Sequence, residues 1–324
     1  MKLIFELSGE NPTIPLAELA CIGKVTDHRE QVAIADCENP GSLNRLAMTR
    51  AVYEYFGECS PDFSSFSDLL SDLALKADTP FRGRVTKVHS GDTRAVDACS
   101  QRDFERLIGT KIDGTVDLSE PALEFRAILS EDRCYFGRLL MAIDRGAYGH
   151  RKPKTRAFFH PGVMMPLLAR ALVNISCAEP GEILFDPFCG TGGILIEAEM
   201  LDINAIGGDF DPFMVHGSRR NVRNASFIIA DGTRTPLCDA SVEAIVTDFP
   251  YGQSVAIRRE GTMERLYDNA LSEIGRVLRP GRRAVIVTHR DITRIAENHM
   301  EILEKHEQRV HKSLTRRILV LTSA

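Results

Sequence analysis

An apolar run, Ile183-Leu184-Phe185, enters the octapeptide Asp186-Pro187-Phe188-Cys189-Gly190-Thr191-Gly192-Gly193, and a helical pattern over residues 194–201 leaves it. The order strand, glycine turn, helix restricts this part of the chain to open α/β architectures in which a ligand lies over the turn. Glycines let the backbone turn tightly and approach that ligand closely. The free N–H groups at the start of the helix face it. The turn opens with a carboxylate, Asp186, which suits a ligand bearing a cationic group better than a pyrophosphate. No P-loop lysine follows to argue for a nucleoside triphosphate. Taken alone, the turn also fits an ordinary dinucleotide site.

Further on, the apolar run Val242-Glu243-Ala244-Ile245-Val246 ends in Thr247-Asp248-Phe249-Pro250-Tyr251-Gly252. This segment resembles the Asp/Asn-Pro-Pro-Tyr signature of methyltransferases that act on exocyclic amino groups of bases. The chemistry explains the residue types. The lone pair of an aromatic amine is delocalised into the ring, so the nitrogen is a poor nucleophile. Two acceptors aimed at its N–H bonds hold it and favour the charge that develops on it. The Asp248 carboxylate is one acceptor and the Phe249 carbonyl the other, and Tyr251 offers a ring on which an extruded base stacks. Phe249 stands where the signature has its first proline, which leaves the shape of the base pocket open. A carbonyl survives that change, and Pro250 keeps Phe249 out of the helical region. Read alone, Asp248 also fits a helix cap in a proline turn. With the glycine turn upstream, the pair resembles the class I methyltransferases, which implies S-adenosylmethionine as cofactor, its amino and sulfonium groups suiting Asp186. Gly190, Thr191 and Gly192 would then line it.

Two more acids end apolar runs. Ala205-Ile206-Gly207-Gly208 leads to Asp209, placed to accept both ribose hydroxyls, with Phe210 beside it to pack on the adenine. Asp211 reads instead as the cap of a helix opening at Pro212. Phe227-Ile228-Ile229-Ala230 leads to Asp231-Gly232, an acceptor for the adenine amino group. Each acid singly fits a turn residue; their joint placement after successive strands carries the weight.

Residues 160–324 alternate strand and helix at short intervals, as an open parallel sheet covered on both faces requires. Strands are predicted near 183–186, 204–208, 226–230, 242–247 and 283–288. Helices are predicted over 163–174, 264–278 and 292–303, and a final hairpin over 308–311 and 317–321. Upstream, strands are expected at 3–7, 31–36 and 81–88 and helices at 14–22, 66–75 and 101–108, followed by a hairpin of 123–130 with 134–141. The segment 145–156 holds Arg145, His150, Arg151, Lys152, Lys154 and Arg156 with no acid. It reads either as a solvated connector or as a track for phosphates. Arg309, Lys312, Arg316 and Arg317 near the end of the chain pose the same choice.

Four runs together resemble the archaeal tRNA guanosine-10 N2-methyltransferases over nearly the whole chain: 186–193, 247–252, Arg156-Ala157-Phe158-Phe159-His160-Pro161-Gly162, and Val310-His311-Lys312-Ser313-Leu314-Thr315-Arg316. The resemblance implies a class I Rossmann-like methyltransferase domain, a seven-stranded α/β sheet with a terminal antiparallel hairpin, over 160–324. It also implies an α+β ferredoxin-like module over 1–45 and a THUMP RNA-binding domain over 46–145, with a basic linker over 146–159. The implied activity is methyl transfer to N2 of guanosine in tRNA, and a small zinc-binding activator subunit is a possible partner. The net charge of −5 means RNA must be met by local patches. Arg145, Arg151, Lys152, Lys154, Arg156, Lys312 and Arg316 are the candidates. Eight cysteines without a Cys-x-x-Cys pair argue against a resident zinc site or a disulfide framework and for a reducing compartment. An acidic start without a signal pattern, and no apolar run of membrane-spanning length, fit the cytoplasm. Two alternatives stay open: another base amino-methyltransferase, on adenine N6 or ribosomal guanine N2, and an RNA-binding protein that keeps a degenerate methyltransferase fold.

Overall fold

The computed structural model describes residues 1–89, 93–251, 262–311 and 314–323, with only the backbone at His311. The chain divides into two units. Met1–Asn44 with Met48–Asp144 form the first, and Arg45–Ala47 with Arg145–Ala324 form the second.

The first unit contains β1 (Lys2–Leu7), α1 (Ile14–Ala20), β2 (Lys24–Arg29), β3 (Val32–Asp36), β4 (Thr49–Cys59), α2 (Phe63–Leu73), β5 (Phe81–Lys87), α3 (Arg94–Ala98), α4 (Gln101–Lys111), β6 (Leu123–Ser130) and β7 (Arg133–Ala142). One sheet runs through it in the order β2-β3-β1-β4-β7-β6-β5. Strand β1 pairs with both β3 and β4, so the sheet continues without a break past residue 45. Side chains cap both longer helices. Asp62 accepts from the Ser65 N–H at the start of α2, and Ser100 from the Asp103 N–H at the start of α4. The two helices close over a core in which Phe66 and Phe104 stack at 4.9 Å.

The second unit contains α5 (Pro166–Ile175), β8 (Ile183–Asp186), α6 (Gly193–Glu199), β9 (Asn204–Asp209), α7 (Pro212–Ser218), β10 (Ser226–Ile229), β11 (Val242–Asp248), α8 (Met263–Val277), β12 (Leu278–Thr288), α9 (Thr293–Glu297), β13 (Glu301–His311) and β14 (Leu314–Thr322). The sheet order is β10-β9-β8-β11-β12-β14-β13. Neighbours from β10 to β12 are parallel, and β14 inserts antiparallel between β12 and β13. This is the predicted sheet with its terminal hairpin. The order reverses between β8 and β11, and a crevice for a ligand opens at such a reversal, outside the carboxyl ends of the strands.

Helix boundaries follow local chemistry. Helix α5 begins at Pro166 rather than at 163, because proline at the first helical position leaves Met165 extended as the cap. Helix α8 ends where expected, ahead of Pro280 and of Gly281 at φ +72°. The helix expected over 292–303 is a correction. Helix α9 stops at Glu297, and residues 301–303 open β13, which pairs with β14 from Glu301 opposite Thr322.

The expected linker folds with the second unit as short 3-10 turns over Arg145–Arg151 and Pro153–Thr155. Arg151 is buried there. Its guanidinium lies 4.3 Å from the Tyr148 ring centre and 2.8 Å from Glu197, a residue of α6 with no exposure; Arg170 meets the same carboxylate at 2.9 Å. One anion between two cations fastens the segment beside the helix that follows the glycine turn. We predict that Glu197→Ala, which strands two buried guanidiniums, lowers the unfolding free energy in urea by about 3–5 kcal/mol. Arg151→Met, which leaves Glu197 paired with Arg170, costs less. Unchanged stability in Glu197→Ala contradicts the assignment.

Candidate active site

A cavity of about 400 Å³ lies at the strand-order reversal. The glycine turn from β8 forms one wall, residues 248–251 after β11 the facing wall, and residues 160–164 a third. It brings together Asp186, Gly190, Thr191, Asp248, Phe249, Pro250 and Tyr251 from the sequence candidates.

The glycine turn depends on backbone freedom at two positions. Gly190 has φ +51° and Gly192 φ +77°. At Gly192 a Cβ would also lie 2.4 Å from the Ser218 hydroxyl of α7, so no other residue fits that place without movement. Asp186 closes the end of β8 and is 1% exposed. It accepts from the Thr247 hydroxyl at 2.6 Å and from the Phe188 N–H at 3.2 Å. Burial pushes its carboxyl up to about 7, and the nearby Asp248 and Asp209 act in the same direction, against the two hydrogen bonds.

Asp209, at the end of β9, takes one backbone donor on each oxygen, Gly190 N–H at 3.0 Å and Asp211 N–H at 2.9 Å. It thereby ties the turn to β9, and burial raises its carboxyl above the usual range. Asp211 caps α7 through the Phe213 N–H, as predicted. Asp231 accepts from both the N–H and the hydroxyl of Thr233, a turn-stabilising pattern. Gly232 lets the Phe188 ring pack against the backbone; a Cβ would stand 2.6 Å from that ring. Phe210 is partly buried next to Asp209. Asp209, Phe210, Asp231 and Gly232 thus lie beyond the cavity wall along the adjoining strand ends rather than in it.

On the facing wall, the Tyr251 hydroxyl donates to Asp248 at 2.5 Å. The Tyr251 ring, expected as a stacking surface, is tilted at 58° against His289 with centroids 4.9 Å apart. Burial raises the Asp248 carboxyl to about 6, against the Tyr251 hydrogen bond and the positive charge of Arg316. Phe249 turns its ring into the core, 5.3 Å from Tyr267 in a stacked contact and 5.4 Å from Phe188 edge-on. The phenylalanine that stands in place of the signature's proline therefore packs its ring in the core beneath the site, while the residue still borders the cavity. The Phe249 N–H donates to the Val287 carbonyl, which fixes the peptide after Asp248 to β12.

Two of the proposed RNA contacts, Arg151 and Arg316, are corrected because they are buried, and a third, Arg156, is half-buried. Arg151 is the buried partner of Glu197 described above. Arg156 runs under the glycine turn, where its Nε donates to the Arg151 carbonyl and its Nη1 to the Thr191 hydroxyl at 3.4 Å. Arg316 is 7% exposed, and its positive charge acts on the buried Asp248 carboxyl. Arginines are drawn inward because the planar guanidinium is weakly hydrated and matches several acceptors at once. Lys152 and Lys154 remain exposed, Arg145 is half-buried, and Lys312 lies outside the described residues. The sequence reading missed Thr247, Phe188 and Asn221, whose side-chain amide holds the Thr191 carbonyl at 2.9 Å. Thr247 and Phe188 sit inside the quoted motifs and so carried a signal; Asn221 carried none.

Residues 153–318 match the family described as RMKL-like, methyltransferase domain. The fold is similar to that of TrmN from Thermus thermophilus, with a TM-score of 0.54 at 19% identity over 100% of both chains. Fold and site together define a class I methyltransferase. The tRNA (guanine(10)-N2)-dimethyltransferase of Methanothermobacter thermautotrophicus is 32% identical across 99% of both sequences, and that of Pyrococcus abyssi 31% identical across 98% of both. The chain belongs to this tRNA (guanine(10)-N2)-dimethyltransferase family.

Asp186 makes the unit's stability pH-dependent in a definite sense. Its folded pKa is raised from 3.8 to about 7. Folding therefore takes up a proton between those values, and stability is lost as the pH rises through that window. Asp186→Asn keeps a carbonyl for Thr247 but cannot ionise. In urea unfolding, the wild type should lose ground to the variant steadily from pH 4 to pH 7. A constant difference across that range contradicts the buried, protonated carboxyl.

Proposed function

We propose that this chain transfers a methyl group from S-adenosylmethionine to the exocyclic N2 of guanosine in tRNA, at position 10. The observation that carries the reading is Asp248 at the end of β11, opening onto the glycine-turn cavity with a backbone carbonyl following it. Membership of the family supports the substrate.

The residues present fit the cofactor. A buried carboxyl, Asp186, lies at the cavity wall beside a glycine turn that admits close approach, as the amino group of a methionine moiety requires. Asp209 accepts one donor per oxygen in this structure and keeps lone pairs for ribose hydroxyls. When bound, S-adenosylmethionine supplies an activated methyl group. The chain's own part is to hold the nucleophile. Asp248 accepts one N–H of the guanine amine and the Phe249 carbonyl the other. Both acceptors are fixed before the base arrives, so no reorganisation is needed as positive charge grows on nitrogen. After one transfer a single N–H remains for Asp248, which is compatible with the dimethyltransferase names of the relatives. Lys152 and Lys154, exposed on the segment beside the site, are proposed to contact phosphates. A second cavity of about 470 Å³, lined by Arg290, Arg294, Lys305 and Arg317 among others, offers further cations. No helix among the described residues is long and apolar enough to cross a membrane.

The direct test is mass spectrometry of unmodified tRNA after incubation with the protein and S-adenosylmethionine. N2-methylated or N2,N2-dimethylated guanosine at position 10 is expected; methyl groups on adenine N6, or none, would defeat the reading. Asp248→Ala should lower kcat by about 10²–10³ while cofactor and tRNA affinities hold. Wild-type turnover removes Asp248 from the mechanism. Reversing the charge of Lys152 and Lys154 should reduce the slope of log affinity against log salt by about one unit per lost phosphate contact. An unchanged slope returns both lysines to the role of solvated surface residues.

A further inference from the structure

Helix α7 leaves the carboxyl end of β9, the parallel neighbour of β8, so its first turn lies on the same rim as the glycine turn. Phe213 in that turn is 63% exposed, more than any other phenylalanine among the described residues. The ring is held in place nonetheless. Phe158 meets it edge-on at 76°, with centroids 5.2 Å apart. Phe158 is itself seated on α7, where a Cβ at Gly217 would stand 2.3 Å from its ring. Asn221 brackets the Phe158 backbone, accepting from its N–H at 2.9 Å and donating to its carbonyl at 2.8 Å. The next residue, Phe159, is 45% exposed, and His160 after it lines the cavity. Two open rings thus belong to the rim where the segment 156–162 passes from α7 to the cavity wall.

The surface beside Phe213 is cationic. Val215, Gly217 and Ser218 take the buried side of α7. Helical spacing sets Arg220 on the stripe of Phe213, two turns on, and the bonds from the Arg219 N–H to Val215 and the Arg220 N–H to Gly217 carry the winding that far. Arg219, Arg220 and Arg223 are exposed and make no ion pair among the described residues. The acids at hand are engaged: Asp211 caps α7, and Glu199 accepts from the backbone N–H groups of Arg223 and Asn224. Resting on the function proposed above, we propose that Phe213, braced by Phe158, is a stacking platform for a tRNA base that neighbours the guanosine being methylated, with Arg220 meeting a phosphate beside it. Every base has a π-face to lay on a ring, and the guanidinium answers the backbone charge. Chemistry at Asp248 requires the target base to leave its stack. Its neighbour then lacks a partner, and a ring on the rim of the cavity replaces it. The apolar area is small and its surround is positive, which suits a stacking polyanion better than a protein surface.

The test uses the full chain and unmodified tRNA, after circular dichroism has checked the fold of each variant. The chain contains no tryptophan, so Phe213→Trp supplies a single fluorescent reporter at the platform. Binding of tRNA should quench its emission, and S-adenosylmethionine alone should leave it unchanged. Phe213→Ala should weaken tRNA binding about 5–100-fold, the effect of losing one stacked base. Its slope of log affinity against log salt should stay that of the wild type, because no phosphate contact is lost. Phe213→Leu keeps apolar area without a ring and should bind as poorly, whereas Phe213→Tyr should bind as the wild type does. Arg220→Ala should reduce the salt slope by about one unit. Quenching by S-adenosylmethionine, with weaker cofactor binding in Phe213→Ala, makes the ring an adenine contact and overturns the proposal. Wild-type tRNA affinity in Phe213→Ala, full recovery in Phe213→Leu, or unquenched emission with tRNA bound overturns it equally, and an unchanged slope in Arg220→Ala overturns the phosphate contact. If Phe213→Ala fails to fold, the leucine and tryptophan substitutions decide. A wild type that neither binds nor methylates tRNA defeats the proposed function itself; a wild type that methylates tRNA while Phe213→Ala binds it equally well defeats the platform alone.

Discussion

The hydrogen bond from Thr247 to Asp186 joins the two strand ends on which the chemistry depends. Strands β8 and β11 are neighbours at the point where the sheet order reverses, so their ends supply two facing walls of the crevice there, with residues 160–164 the third. The bond clamps those ends and leaves each strand to deliver its own segment. From β8 comes the glycine turn, and from β11 comes the run from Asp248 to Tyr251. Successive side chains of a strand point to opposite sides. Thr247 can therefore serve the clamp while Asp248, one residue on, serves the cavity. A one-residue slip of β11 against β8 would exchange those roles, which explains why the pairing of Ala244 with Leu184 and Ile245 with Phe185 matters to function.

The clamp concentrates negative charge in a dry corner. Asp186, Asp209 and Asp248 all have carboxyl pKa values pushed up by burial. Raised values in a cleft are what a binding site for a cationic ligand has before that ligand arrives. The three acids are relieved differently. Asp186 has a hydroxyl and one amide, Asp209 has two amides, and Asp248 has a phenol and a distant guanidinium. The neutral donors of the first two restrain the backbone of the turn. The donor to Asp248 restrains nothing in the backbone, since Phe249 is already fixed through Val287; it orients the carboxyl group proposed to meet the substrate amine.

Much of this was legible in the sequence because the glycine turn and the segment 247–252 are local. Their residues are contiguous, their conformational demands are met within a few bonds, and the acids fall at strand ends that apolar runs announce. The open parallel sheet followed from the alternation of strand and helix, and the terminal hairpin from two short final strands; the strand order did not. What escaped depends on distant partners. Strand β4, Thr49–Cys59, has tyrosines and glutamates interspersed with small residues and becomes a strand because β1 and β7 flank it on either side. Strand β2 is polar along its length and sits at the edge of its sheet, paired with β3 alone. Residues 301–303 satisfy a helical spacing as well as an extended one, and the full-length partner β14 decides for strand. The ring of Phe249 could not be assigned to the core without Tyr267 and Phe188, one of which is on another helix.

The cations show the same limit in its sharpest form. Within residues 145–156 every basic residue reads alike as a phosphate contact, yet the fold sorts them by chemistry. Arg151 and Arg156 go inward and Lys152 and Lys154 stay out. An arginine surrenders little hydration and gains a carboxylate, a ring and several carbonyls at once, whereas an ammonium surrenders a tight hydration shell for one point contact. The same sorting takes Arg316 inward, where its charge acts on Asp248. Arg151, Arg156 and Arg316 pack into the catalytic unit, while the exposed Lys152 and Lys154 and the cations beside the second cavity are among those proposed to meet a polyanion. Under the proposed function a chain of net negative charge can serve an RNA substrate, because the cations proposed to face RNA and the arginines packed into the catalytic unit are different residues.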